Sequence, residues 1–199
     1  LSAIKNKVLA LGTGTQQIFG GIPTHFSAAT TVTSAGRPIS AFYLIKDLGI
    51  FNSQAEVDNH KDKNGNIIQP NAAPGDIRFQ DTNGDGQISD LDKVYSGSPF
   101  PKLEFGFGLN ASIYNFDVNL FFQGTSGNKI YNGMRQELEG MSFEFNYAKS
   151  TLNAWTAQNL SDVPRAIITD PNFNGRTSTR FLENGSYLRM KTLQIGYTF

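Results

Sequence analysis

Twelve consecutive residues, Asp81-Thr82-Asn83-Gly84-Asp85-Gly86-Gln87-Ile88-Ser89-Asp90-Leu91-Asp92, carry the sharpest chemical pattern in the chain. Side-chain oxygens fall at loop positions 1, 3 and 5 (Asp81, Asn83, Asp85). Gly86 stands at position 6, where an EF-hand-type loop turns sharply. Gln87 at position 7 offers its backbone carbonyl, Ser89 at position 9 can act through a water, and Asp92 closes the loop at position 12. Ile88 between them is placed to anchor the loop on apolar neighbours. Such a set of hard oxygens suits Ca2+, with Asp81, Asn83, Asp85, Gln87 and Asp92 as the expected ligands. Position 12 is Asp rather than the longer Glu, and the flanks do not read as helices. The alternative is a metal-free cluster of Asx turns. The role expected of the cation is to order a long loop. Catalysis would need an open coordination position and acid–base groups beside it, and the sequence points to neither.

Other chemistry is thin. Gly12-Thr13-Gly14 lacks the Lys and helix of a phosphate loop and reads as a hairpin loop. His25 and His60 are too far apart to make a local metal motif. Arg165, Arg176, Arg180 and Arg189 suit an acidic ligand or a lumen, although solvated loop arginines are the plainer reading. No carboxylate dyad or nucleophile elbow is readable, so no enzyme is expected. The chain has 199 residues, 17 Lys+Arg against 17 Asp+Glu, and no Cys. Zero net charge argues against a nucleic-acid partner. Zero Cys excludes disulfides, thiolate zinc sites and a Cys nucleophile.

The elements that must carry the loop are mostly strands. In Lys102–Tyr114, Leu103, Phe105, Phe107, Leu109, Ala111 and Ile113 share one face, and Glu104, Gly106, Gly108, Asn110 and Ser112 the other. After a short turn at Tyr114-Asn115, Phe116, Val118, Leu120 and Phe122 alternate with Asp117, Asn119, Phe121 and Gln123. Such a tight link demands an antiparallel hairpin. Leu193, Ile195, Tyr197 and Phe199 alternate at the chain's end. Further strands are expected near Ile4–Leu11, Phe26–Thr33 and Ile39–Phe51, giving about six in all. Two short helices are expected, one after the N-cap Ser53 with Glu56 as its capping-box partner, the other over Asn132–Glu139.

Short links (34–38, 114–116) alternate with long polar ones (about 52–100 and 125–186). Connections of roughly 50 residues are rare in compact soluble domains. Short turns on one side and long extracellular loops on the other are the habit of outer-membrane barrels. Strand parity then puts the 34–38 turn on the periplasmic side with 114–116. The polar face of the hairpin holds mostly Gly, Asn, Ser and Gln, which suits a lumen. Phe100, Tyr114, Phe116, Tyr187, Tyr197 and Phe199 recur near strand ends, as in interfacial girdles. The competing reading is a secreted, calcium-stabilised β-sandwich that binds carbohydrate.

Six blocks in order carry a family resemblance: Gly36-Arg37-Pro38-Ile39-Ser40-Ala41-Phe42-Tyr43, Asp47-Leu48-Gly49-Ile50-Phe51, Pro74-Gly75-Asp76-Ile77-Arg78-Phe79-Gln80-Asp81, Gly97-Ser98-Pro99-Phe100-Pro101-Lys102, Phe121-Phe122-Gln123-Gly124, and Glu183-Asn184-Gly185-Ser186-Tyr187-Leu188-Arg189-Met190-Lys191. Together they resemble the C-terminal part of SusC/RagA-type TonB-linked outer-membrane proteins. The resemblance implies an all-β fold: antiparallel strands in a transmembrane barrel of about 22 strands, with an N-terminal plug. It implies a bacterial outer-membrane location and import of glycans, oligosaccharides or peptides. It also implies a SusD-like lipoprotein partner and energy delivered by TonB. No segment here reads as signal peptide, TonB contact or plug. Six strands cannot close a transport barrel, so the rest of the barrel is expected from outside these 199 residues.

Overall fold

The computed structural model describes residues 1–21, 29–142 and 146–199. The strands among them are β1 (Ser2–Ala3), β2 (Gln17–Gly20), β3 (Thr31–Ser34), β4 (Ala41–Ile45), β5 (Asp47–Ile50), β6 (Ile77–Phe79), β7 (Lys93–Gly97), β8 (Leu103–Ile113), β9 (Phe116–Ser126), β10 (Lys129–Tyr131), β11 (Leu182–Asn184) and β12 (Tyr187–Tyr197). Two short helices join them, α1 (Gln54–Asn59) and α2 (Gly133–Glu139). Both arise where the capping residues predict. Ser53 accepts the N–H of Glu56, and Asn132 accepts that of Arg135. The Glu56 carboxylate reaches back to the N–H of Asn52, one residue before the expected partner.

β8, β9 and β12 form an antiparallel wall, with β1 paired to the first residues of β8. Each of the three long strands has eleven residues. At ~3.3 Å per residue and a tilt of about 45°, that spans about 25 Å, the height of a barrel's apolar band. Register puts side chains of one kind in rows. Leu109, Leu120 and Leu193 form one row, and Ala111, Val118 and Ile195 the next. On the opposite face lie Asn110, Asn119 and Gln194, where the Asn119 amide donates to Gln194 at 3.4 Å. A bulge between Met190 and Thr192 shifts the parity of β12. It keeps Leu188 and Met190 on the same face as Leu193 and Ile195.

The apolar face is uncovered by the rest of the described chain. Leu109 is 56% exposed and Ile195 68%. A β-sandwich would bury such a face beneath a second sheet. Tyr114, Phe116, Tyr197 and Phe199 gather at the hairpin end, with Phe116 and Tyr197 ring centres 4.9 Å apart. Close approach decides one glycine in the wall. A Cβ on Gly124 would lie 2.7 Å from Phe105 Cζ and collide with the Tyr187 carbonyl. Gly124→Ala is therefore expected to cost about 1–3 kcal/mol by overpacking. A thermal melt of the whole receptor in detergent, compared with Gly108→Ala, checks this.

The two long links are not open loops. They fold together into a cap at the β8 start of the wall. β2, β3, β4 and β7 form one sheet, β5 and β6 a second, and β10 with β11 continues the β9–β12 direction beyond the wall. The cap's core ties each link to β4 and the residues just after it. Phe42 and Leu44 pack with Tyr131 and Phe181, Ile45 packs with Ile77 and Phe79, and Phe51 packs with Val57 and Ala72.

Several strand expectations change. Ile4–Leu11 forms no strand. Its backbone bonds are divided between the Lys102 carbonyl and the Gly36-Arg37 turn, too scattered for a ladder. The start of the Phe26–Thr33 strand lies outside the described residues, and its end begins β3. Ile39–Phe51 splits into β4 and β5 of two cap sheets, and the run Phe42-Tyr43-Leu44-Ile45 is a central strand buried on both faces. The wall therefore has three full-length strands. The 34–38 turn is not beside the 114–115 turn. It bonds to Val8, and Pro38 lines a cavity with Ile4 and Lys102 at the opposite end of β8.

Candidate functional site

Cap residues distant in sequence position the acidic loop. Ile88 packs on Ile45, Ile77 and Phe79, as its place in the pattern predicts. Gly86 takes a left-handed φ of 84°, the sharp turn required of position 6. A side chain there would meet the carboxylate of Asp62, whose Oδ2 lies 2.8 Å from an added Cβ.

The loop's own oxygens hold its amides. Asp81 accepts the N–H groups of Gly84 (2.7 Å) and Gly86 (2.8 Å). Asn83 accepts that of Asp85 at 2.8 Å, and Asp85 that of Gln87 at 2.9 Å. Asp92 is fully buried and accepts three, from Thr82 (2.8 Å), Asn83 (3.3 Å) and Ser89 (2.8 Å). Ser89 caps the 3-10 turn Asp90–Asp92 and exchanges hydrogen bonds with Asp92 as a capping box. Among the described residues no three His, Cys, Asp or Glu side chains are grouped as for a metal ion. The donor chemistry nevertheless fits a hard cation. Each carboxylate oxygen of Asp81 and Asp85 accepts one hydrogen bond and has acceptor capacity left. Asp92 is the residue most fully engaged elsewhere.

Beside the loop lies a network that sequence reading misses. Asp76 is fully buried and accepts a two-pronged bond from Arg165, Nε at 2.7 Å and a terminal nitrogen at 2.9 Å. It also accepts from the Asn174 amide and the Ala73 N–H, both at 2.9 Å. The hydrogen bond and charge of Asp76 hold the Arg165 guanidinium above its ordinary pKa. Gln69 and Asn172 bond to each other at 2.7 Å, and both donate to the Ile77 carbonyl. Gln69 and Asn174 accept the N–H groups of Phe79 and Ile77. The edge of β6 is thus satisfied by side chains of residues 69, 172 and 174 rather than by another strand. Trp155 adds a further tie, its indole N–H donating to Asn52 at 3.0 Å.

The four arginines have different fates. Arg165 is the partner of Asp76, and Arg189 stacks on Tyr187 in the wall. Burial lowers the pKa of both Arg180 and Arg176, and Arg176 is brought down to about 10. Of the four, Arg189 alone is exposed, and it stands in a strand rather than a loop; the other three are partly buried. His60 is held towards its neutral form by burial, and His25 lies outside the described residues.

A lipid-scaled wall with one apolar face, rising into a folded cap, defines a portion of a transmembrane β-barrel. No family model matches the chain. The chain is 34% identical over 203 residues to "TonB-dependent receptor P26" of Formosa agariphila and 32% identical over 201 residues to "TonB-dependent receptor P3" of the same organism. These alignments cover 99% and 97% of the chain. It spans about a fifth of either relative, 19% and 18%. A solved structure of the RagAB peptide transporter superposes over 96% of this chain and 19% of that one, with a TM-score of 0.64 and 24% identity. The "open-open" state of the RagAB peptide importer gives a TM-score of 0.64 at 22% identity. The chain belongs to the TonB-dependent receptors, and its fold is that of the matching part of the RagAB transporter.

Proposed function

We propose that this chain supplies part of the wall and the extracellular cap of a TonB-dependent outer-membrane importer. The carrying observation is the three-strand wall, apolar on one face and polar with few charges on the other, running directly into a cap with its own core. The role is passive and non-enzymatic. The wall faces lipid and lumen, and the cap shapes the entrance. The cargo is a glycan, an oligosaccharide or a peptide, taken up together with a SusD-like surface lipoprotein. TonB acts through parts of the receptor outside these residues. The relatives named TonB-dependent receptors and the likeness to a peptide transporter support this reading. The test is uptake of labelled oligosaccharides and peptides by cells with and without the full receptor gene. Loss of uptake of one cargo class on deletion, restored by the gene but not by a version without the wall strands, is expected. Unchanged uptake of every cargo would overturn the proposal.

The acidic loop is assigned to Ca2+ in a structural role, with Asp81, Asn83, Asp85 and the Gln87 carbonyl as ligands and Asp92 completing or bracing the loop. Titration of the receptor with CaCl2 is expected to show heat and a higher melting temperature. Asp81→Ala and Asp85→Ala should each lower affinity at least about tenfold, the effect of losing one charged ligand contact. No heat and no stabilisation at millimolar calcium would remove the metal from the account.

A further inference from the structure

Arg176 sits in a groove lined on one side by Gly86, Gln87, Ile88, Ser89 and Asp90 of the acidic loop. Two clefts of about 460 Å³ and about 310 Å³ share the side chains of Ile88, Phe173 and Arg176. The guanidinium stacks against two rings, 4.7 Å from the centre of Phe79 and 5.6 Å from that of Phe173. Three of its five N–H donors go to backbone carbonyls: Phe173 at 3.1 Å, Ile88 at 3.2 Å and Asn172 at 3.0 Å. Each terminal nitrogen therefore keeps one donor. Among the described residues no carboxylate forms an ion pair with Arg176. The acids that act on it from further away are Asp170, Asp90 and Asp92. Asp170 and Asp92 already accept backbone N–H groups, and Asp90 pairs with Lys93 at 3.1 Å. Burial moves the guanidinium only to about 10, so it is still a cation at neutral pH.

Phe173 marks the mouth of this groove. The residue is 64% exposed, and its backbone holds a left-handed φ of 54°. A bulky residue pays steric strain in that region, and such strained residues cluster at active sites, ligand clamps and switch regions. Asn71 and Gln87 add neutral hydrogen-bonding groups to the larger cleft; Asp90, paired with Lys93, lines the smaller one, and neither cleft is lined by a Lys or a second Arg.

We propose that the groove is a subsite for a single carboxylate, received on the two open donors of Arg176 and flanked by the Phe173 ring. A planar guanidinium edge matches a carboxylate's two oxygens. One cation without further basic residues favours a monoanion over a phosphate. The carboxylate has two possible sources, the C-terminus of a peptide or the uronic acid of a glycan, and the same assay separates them. Binding here depends neither on TonB nor on transport, so uptake and binding can fail independently.

The test uses the full receptor purified in detergent and calorimetry with two probe pairs. One is an N-acetylated tripeptide as free acid and as C-terminal amide. The other is a glucuronate disaccharide as free acid and as methyl ester. In one pair the free acid is expected to bind at least about tenfold more tightly than its neutral form, the size of a charge-assisted contact. In Arg176→Gln that preference should fall below about twofold. Phe173→Ala, at an exposed position, should weaken the acid severalfold with the melting temperature unchanged, and it carries the test if Arg176→Gln does not fold. Equal affinity of acid and neutral forms in both pairs overturns the proposal. So does an acid preference that survives in Arg176→Gln, or acid binding that Phe173→Ala leaves untouched.

Discussion

Asp76→Ala is expected to unfasten the cap, lowering its stability by about 3 kcal/mol. Removing one member of a buried ion pair leaves the other without compensation, at about 3–5 kcal/mol. The low end applies because the Arg165 side chain is 25% exposed while that of Asp76 is 0%. The substitution also strands the Asn174 amide and the Ala73 N–H. Since Asn174 in turn holds the Ile77 N–H, damage should spread to β6 and to Ile88 at the acidic loop. Hydrogen exchange of the receptor in detergent reads this directly. Amides of residues 69–92 and 165–178 should lose protection while those of β8 and β9 keep theirs. Protection unchanged in the cap would show that Asp76 and Arg165 do not fasten it.

Leu120→Arg should act at the opposite end of the molecule, in the membrane. Leu120 stands in the middle row of the wall between Leu109 and Leu193. A cation on a barrel's lipid face near the midplane costs about 2–4 kcal/mol. Asn119→Arg, one residue earlier, points to the polar side beside Asn110 and Gln194 and should cost far less. The two variants differ in face and hardly at all in depth or chemistry. Urea unfolding of the receptor in vesicles should therefore separate them by about 2 kcal/mol or more. Similar losses in both would remove the assignment of faces.

The wall was legible because a single strand there contains its whole message. Leu109 and Asn110 face different media, so alternation alone marks them. The one break in that alternation, at Lys191, is the bulge that lets Met190 and Leu193 share a face. The Ser53 cap and the Gly86 turn were legible for the same reason, since each depends on neighbours within a few residues.

The cap was not legible. Its apolar contacts join residues far apart in the chain, Phe42 and Leu44 with Tyr131 and Phe181. Much of its interior is polar. Gln69, Asn172, Asn174 and Gln136 read as loop residues, yet they are buried because each satisfies backbone or side-chain partners. Composition therefore described the links at 52–100 and 125–186 as open loops when they are a folded body. The acidic loop was readable as a pattern, but the capping role of Asp92 was not, because it depends on how residues 89–92 turn back onto Thr82.

The central claim is that β8, β9 and β12 are a membrane wall with lipid on the Leu109 side. The chain contains no Cys, which suits single-cysteine labelling once any cysteines elsewhere in the receptor are removed. Spin labels at residues 117 to 122 of β9, in the full receptor in bilayers, give the most direct measurement. At 118, 120 and 122 the label should meet dissolved oxygen freely and a polar nickel reagent hardly at all, and at 117, 119 and 121 it should not show that preference for oxygen. Equal access of the nickel reagent at 118, 120 and 122 would contradict the account and return these strands to a water-soluble sheet.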